Sequence, residues 1–308
     1  MFCKKIVTRM SLVKQYFPEP LKAGGRGRSL IGNPECQTLD PFILLDYYTM
    51  RLPLGFTDHP HRGFETVTTV TQGSMYHEDF KGHRDYLNVG DVQWMTAGRG
   101  IVHAEMPATA DTDTQGFQLW VNLPSAKKMM DPMYQEFRSK DIKEFNDDGL
   151  KVRVIAGENH GVVSGVNPHS TCMYMEATVS PGKEFKQKVT AGWQGFLFMY
   201  AGDKLAASCG DSEWIAKFEQ MNIFEMKAGS EEILVKNVGS QEAKFIFIAG
   251  KPIGEPVKQK GPFVMCTDAE IAQTFDDYAN EKNGFEGVKT WQSQIRKLAT
   301  DIHFKPEM

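Results

Sequence analysis

The feature that most constrains this chain is the recurrence of short apolar or alternating runs separated by glycine. TVTTV (66–70), FQLWVNL (117–123), KVRVIAG (151–157), CMYMEATV (172–179), FLFMY (196–200) and KFIFIAG (244–250) each have the length and the β-branched and aromatic content of a strand. The 28 glycines and 15 prolines supply turns between them, and many short strands with frequent turns specify an all-β barrel or sandwich. A length of 308 residues suits one large domain or two of ordinary size, each with its own core. Segment 125–149 is polar, contains the turn-like Asn146-Asp147-Asp148-Gly149, and reads as a connector between two β domains. A Gly-Asp pair recurs, Gly90-Asp91 before a strand in the first half and Gly202-Asp203 after FLFMY in the second.

The C-terminus changes character. Thr267 and Glu270 are spaced as a capping box, and Ile271, Phe275 and Tyr278 follow at helical spacing. Gly284 is the expected end of that helix. Val288, Trp291, Ile295 and Leu298 form a second apolar stripe, so 267–299 reads as a helical appendage lying on the barrels.

Composition excludes several classes. The net charge of -4 lacks the basic surplus that non-specific nucleic-acid binding draws on, so a role at DNA would run through a protein partner. No stretch is apolar for long enough to cross a bilayer. The N-terminus, MFCKKIVTRMSLVKQYF, is basic but has no continuous apolar core of a secretory signal, and reads as a strand with a basic flank, with Met10 as an alternative start. Five cysteines, Cys3, Cys36, Cys172, Cys209 and Cys266, are odd in number and widely spaced. That pattern argues for reduced thiols in a cytoplasmic or nuclear compartment rather than a disulfide framework or a cysteine zinc site.

Histidine carries the chemistry. Five of the eight histidines lie between positions 59 and 103. His59-Pro60-His61 and His103-Ala104-Glu105 are both X-x-X pairs. Residues two apart on a strand point to one face, so each pair can present two ligands to a single point. Three imidazoles and a carboxylate suit a divalent Fe, Mn, Ni, Cu or Zn ion. Glu65 joins that face only if 62–64 stay extended, which Gly63 opposes. His77 and His83, flanking HEDFKGH, read as members of a solvated loop that could line the mouth of the site. Gly98-Arg99-Gly100 reads as a tight turn.

The segments DHPHRGFETVT (58–68), GSMYHEDFKGH (73–83), GDVQWMTAGRGIVHAEMP (90–107) and FQLWVNLP (117–124) resemble the pirin family of the cupin superfamily. GPFVMCT (261–267) and NGFEGVKTW (283–291) extend the resemblance over nearly the whole chain. It implies a bicupin, two stacked antiparallel β-barrels with short C-terminal helices: residues 1–135 as the metal-bearing N-terminal barrel, 136–308 as a metal-free C-terminal barrel. The second half has only His160, His169 and His303, with no H-x-H. Cys266 stands where the family usually has Asn, with no role expected beyond packing.

The resemblance further implies Fe(2+), held by His59, His61, His103 and Glu105, with Glu65 left out. It implies quercetin 2,3-dioxygenase-type activity, the O2-dependent opening of a flavonol ring. The substrate would be a small planar chelator, with Glu105 as general base and Phe56, Met75 and Trp94 as apolar walls. The alternative is a redox- or iron-sensing coregulator acting through transcription-factor partners, monomeric, in cytoplasm and nucleus, without direct nucleic-acid binding. An idle storage cupin is a third reading, opposed by the intact ligand set. Metal-dependent O2 uptake with quercetin separates the first reading from the others.

Overall fold

The computed structural model describes residues 10–21, 26–227 and 231–307, without the side chains of Met10, Ser11 and Glu231. Cys3 and the basic flank at 1–9 lie outside the described residues. All six runs read as strands are strands, and the chain is a bicupin whose described residues hold a single short α-helix near the C-terminus. Among the described residues no helix is long and apolar enough to cross a membrane.

The chain forms two compact units, Glu19–Asp141 with Ile253–Met308, and Met1–Pro18 with Ile142–Pro252. The boundary expected at 135/136 thus meets a different partition, in which each terminus joins the unit of the other half. Backbone pairing is the reason at the N-terminal end. Met10–Tyr16 is an edge strand hydrogen-bonded antiparallel to Met221–Met226, so its amides are satisfied in the later unit.

Among the described residues, each unit holds one seven-stranded, one four-stranded and one two-stranded antiparallel sheet. In the Met1–Pro18/Ile142–Pro252 unit the two larger sheets enclose an apolar filling. It includes Val152, Met175, Phe185, Leu205, Phe224, Ile233, Phe245 and Phe247. The polar connector contributes here too. Glu144–Asp147 and Leu150–Ala156 form a hairpin across Asp148-Gly149, both at positive φ, the backbone an Asp-Gly two-residue turn favours.

In the Glu19–Asp141/Ile253–Met308 unit the seven-stranded sheet runs Met133–Phe137, Val92–Thr96, Phe64–Gln72, Thr114–Asn122, Phe42–Met50, Arg26–Ile31, Glu19–Pro20. The four-stranded sheet runs Phe56–His61, Ile101–Pro107, Ser74–Asp79, Arg84–Asn88. Its interior differs from that of the other unit, because polar side chains take the middle of the barrel.

The C-terminal segment supports this polar interior from outside. Thr267 caps the helix Asp268–Ala279, its hydroxyl accepting from the Glu270 N–H while the Glu270 carboxylate accepts from the Thr267 N–H. The inward face is not the expected apolar stripe. Ile271, Thr274 and Asp277 are buried, whereas Phe275 is exposed. The helix ends at Asn280, short of Gly284, whose positive φ and close approach to the Arg99 carbonyl serve a later turn. The second stripe forms only a 3-10 turn at Ile295–Ala299, since Gly284 and Gly287 at positive φ interrupt any helix leading into it. Ile295 and Leu298 still pack on Leu52, Ala104 and Met106, the face of the ligand strand away from His103.

Candidate metal centre

The strands Phe56–His61 and Ile101–Pro107 pair antiparallel, with His103 opposite His59 and Ile101 opposite His61. The two sequence pairs therefore meet directly. Ring centroids of His59, His61 and His103 lie 4.4–4.8 Å apart. One ligand nitrogen from each falls within 4.8 Å of the other two. His61 and His103 are buried, and His59 is partly exposed.

Two of the three imidazoles have one nitrogen engaged by the protein. His59 Nδ1 lies 2.8 Å from the Thr57 carbonyl. His103 Nδ1 lies 2.9 Å from His77 Nε2. The Pro262 backbone favours the charged His61 ring, against the larger effect of burial. His61 Nδ1 and His103 Nε2 are buried without a hydrogen-bond partner. Burial alone pushes all three rings below the usual imidazole range, and the mutual repulsion of any charged forms lowers His61 and His103 further. Three neutral rings with unmatched lone pairs at one point are a ligand set for a divalent transition metal.

Glu105 is buried on the same strand face as His103, but the three-histidine group does not include it. Thr68 Oγ1 lies 3.0 Å from Glu105 Oε1 and 3.1 Å from Gln118 Oε1, and Gln118 Nε2 donates to Glu105 Oε2 at 2.9 Å. This ring works in both protonation states. Ionised Glu105 accepts from Thr68 and Gln118. Protonated Glu105 can donate to Thr68, which then donates to Gln118. Burial pushes the Glu105 carboxyl up, the two hydrogen bonds oppose it, and the result is about 7.

The remaining sequence candidates separate. Glu65 follows Gly63, whose φ of +89 breaks the extended run, and its carboxylate accepts from Thr96 Oγ1 instead of reaching the histidines. Met75 is buried in an apolar cluster with Tyr48, Met50, Val70 and Leu87, and Phe56 packs against it. Phe56 lies 6.2 Å from the His59 ring. Trp94 corrects the expected wall. It sits opposite Val67 in an unbroken register, so strand alternation turns it away from the face that carries Thr68.

The reading of His77 is also corrected, while His83 lies in the turn between two strands. His77 is not in a solvated loop but fully buried on the strand Ser74–Asp79, opposite Glu105. Burial, then the neighbouring His83, lower its pKa to about 3. His83 stacks on Tyr134 at 3.9 Å and pairs with Glu136 at 3.1 Å. The polar string HEDFKGH concealed this, although S-M-Y-H-E-D is short enough to be a strand.

The Gly98-Arg99-Gly100 turn is present and is tied to the first ligand pair. Gly63 N donates to the Gly98 carbonyl at 2.8 Å, and Arg62 Nε to the Arg99 carbonyl at 2.6 Å. Arg62 also pairs with Asp277 at 2.7 Å, both side chains 1% exposed, and donates to Thr274 and Asn283. Lys128 Nζ is buried and bonds Gly63 O, Asn122 Oδ1 and Val264 O.

Comparison with known proteins agrees with this picture. A family model described as Pirin matches residues 24–121, and one described as Pirin C-terminal cupin domain matches 174–284. Human Pirin is 45% identical over 273 residues, covering 88% of this chain and 92% of the human protein. A tomato (Solanum lycopersicum) pirin-like protein is 45% identical, covering 87% and 90%. A quercetin 2,3-dioxygenase structure from Acinetobacter baumannii superposes with a TM-score of 0.79 at 30% identity, covering 90% of this chain and 99% of that one. Matched by both models and 45% identical to named members over most of its length, the chain belongs to the pirin family.

Proposed function

We propose that this protein is an iron-dependent dioxygenase of the quercetin 2,3-dioxygenase type, with the ion held by His59, His61, His103 and Glu105. The observation that carries the proposal is the convergence of three neutral imidazoles beside a buried carboxyl whose pKa is near 7. The 30% identity and near-complete overlap with the Acinetobacter quercetin dioxygenase support the choice of a flavonol-like substrate. When bound, the ion supplies Lewis acidity toward a chelating oxygen. Glu105 would take the flavonol hydroxyl proton as general base. Thr68 and Gln118 orient its carboxylate throughout. Phe56 and Met75 form the apolar wall for a planar ring, with Trp94 outside it.

The test is O2 uptake by iron-loaded protein given quercetin. Wild type should consume O2 in a quercetin-dependent manner and His59→Ala should fall to background. No uptake by an iron-loaded wild type would sink the dioxygenase reading. The alternative is a redox-sensing coregulator. It requires ferrous and ferric protein to retain different partners in a pull-down.

Glu105 also sets a pH dependence. The histidines are already neutral, so the proton that coordination must displace is that of Glu105. Metal affinity should climb about tenfold per pH unit up to about pH 7 and then level off. Glu105→Gln should abolish this slope, as followed by chelator competition between pH 5.5 and 8; an unchanged slope removes Glu105 from the ligand set. For the metal-free protein the sign reverses. A carboxyl raised from 4.5 to about 7 stabilises the fold below pH 4.5, and that contribution is lost as pH rises through 7.

A further inference from the structure

We infer that His77 is the positioning residue of the metal centre, accepting the Nδ1 proton of His103 and so aiming the Nε2 lone pair of His103 at the ion. The inference rests on the metal-binding reading above. His59 is oriented by a backbone carbonyl, that of Thr57. Only His103 is oriented by a side chain, with His77 Nε2 at 2.9 Å.

The proton count assigns the roles. Neutral His103 has one N–H. Its Nε2 is buried, unpartnered and the atom left for a metal, so the proton sits on Nδ1 and His77 Nε2 must be the acceptor. Neutral His77 then carries its own proton on Nδ1. His77 is held against rotation because its ring is fully buried and packs edge-on against His83 and Tyr134, both at 5.5 Å between centroids. Those two rings stack on each other, and Glu136 and Asp79 fix their polar ends. A rigid stack thus runs from the protein surface to the back of a ligand. With the opposite tautomer on His103, Nε2–H would point at the ion and one of the three histidine ligands would be lost.

The test compares His77→Phe, which removes the acceptor, with His77→Gln, whose amide oxygen can occupy the place of Nε2. Affinity for Co(II) is measured by chelator competition, together with the visible spectrum of the Co(II)-loaded protein and thermal unfolding of the metal-free form. His77→Phe should bind Co(II) about 10- to 100-fold more weakly with an altered spectrum. His77→Gln should keep affinity within about threefold and the wild-type spectrum. Should His77→Phe fail to fold, His77→Leu takes its place as the acceptor-free variant. Equal affinities for wild type and the acceptor-free variant, or a loss in His77→Gln as large as in His77→Phe, would overturn the inference alone. A wild type with no Co(II) affinity would overturn the metal reading and this inference with it.

Discussion

His61→Ala is expected to abolish metal binding, lowering affinity by more than about 100-fold, beyond what loss of a supporting partner costs. Of the three clustered histidines, His61 has most at stake. It is buried, and its Nδ1 has no hydrogen-bond partner. Its ring also packs against Phe64 and Trp120 at 5.1 and 5.0 Å. The metal-free variant will therefore lose some stability to the cavity as well. The two effects separate by linkage. An ion at a hundred times its dissociation constant raises wild-type stability by about 2.7 kcal/mol, and the variant should show no such rise. The measurements are metal content after dialysis and unfolding with and without added Fe(II) or Co(II). Stoichiometric metal in His61→Ala with an unchanged stabilisation would mean the ion sits elsewhere.

Arg62→Met is expected to destabilise the protein by about 3–5 kcal/mol, the range for removing one partner of a buried ion pair. The midpoint of thermal unfolding should drop by an amount on the order of 10 °C. The size follows from what is left behind. Asp277 would be buried without its cation, and the Arg99 and Asn283 carbonyls would lose their donor. The ring face of Phe285, 4.6 Å from the guanidinium, would lose its cation contact. Asp277→Leu combined with Arg62→Met should recover part of the loss, because no unpaired charge then remains buried. Burial pushes the Asp277 carboxyl up, but Arg62, Gln273 and Asn283 reverse this and hold it below the usual carboxylate range. Its stabilising contribution is present above pH 3.8 and lost as pH falls through the lower folded value, so Arg62→Met should also flatten the acid limb of the stability profile. A change below about 1 kcal/mol would show that the pair is not the anchor proposed here. Arg62 adjoins His61 and holds the turn before His103, so weaker metal binding should accompany the loss.

Local sequence alone determined a good deal. Alternation and glycine spacing located the strands, and the spacing of Thr267 and Glu270 located the start of the helix. H-x-H and H-x-E put two inward-facing donors on each of two strands, because residues two apart on a strand share a face. Positive φ at Gly63 and the Gly98–Gly100 turn were legible for the same local reason. What only the tertiary structure decided is which groups stand behind those donors. Strand alternation tells which residues share a face, but not which strand lies next to it or how it is registered. His77 is buried because its strand pairs with the ligand strand on one edge and with Arg84–Asn88 on the other, while the C-terminal turn Ile295–Ala299 covers the outer face. Trp94 faces away because register puts it opposite Val67. Pro262 at His61 and Asp277 at Arg62 come from the far end of the sequence, brought in by backbone pairing of Val264 with Arg62. A donor pair is a property of one strand; its proton bookkeeping and its rigidity belong to neighbours that only long-range pairing supplies.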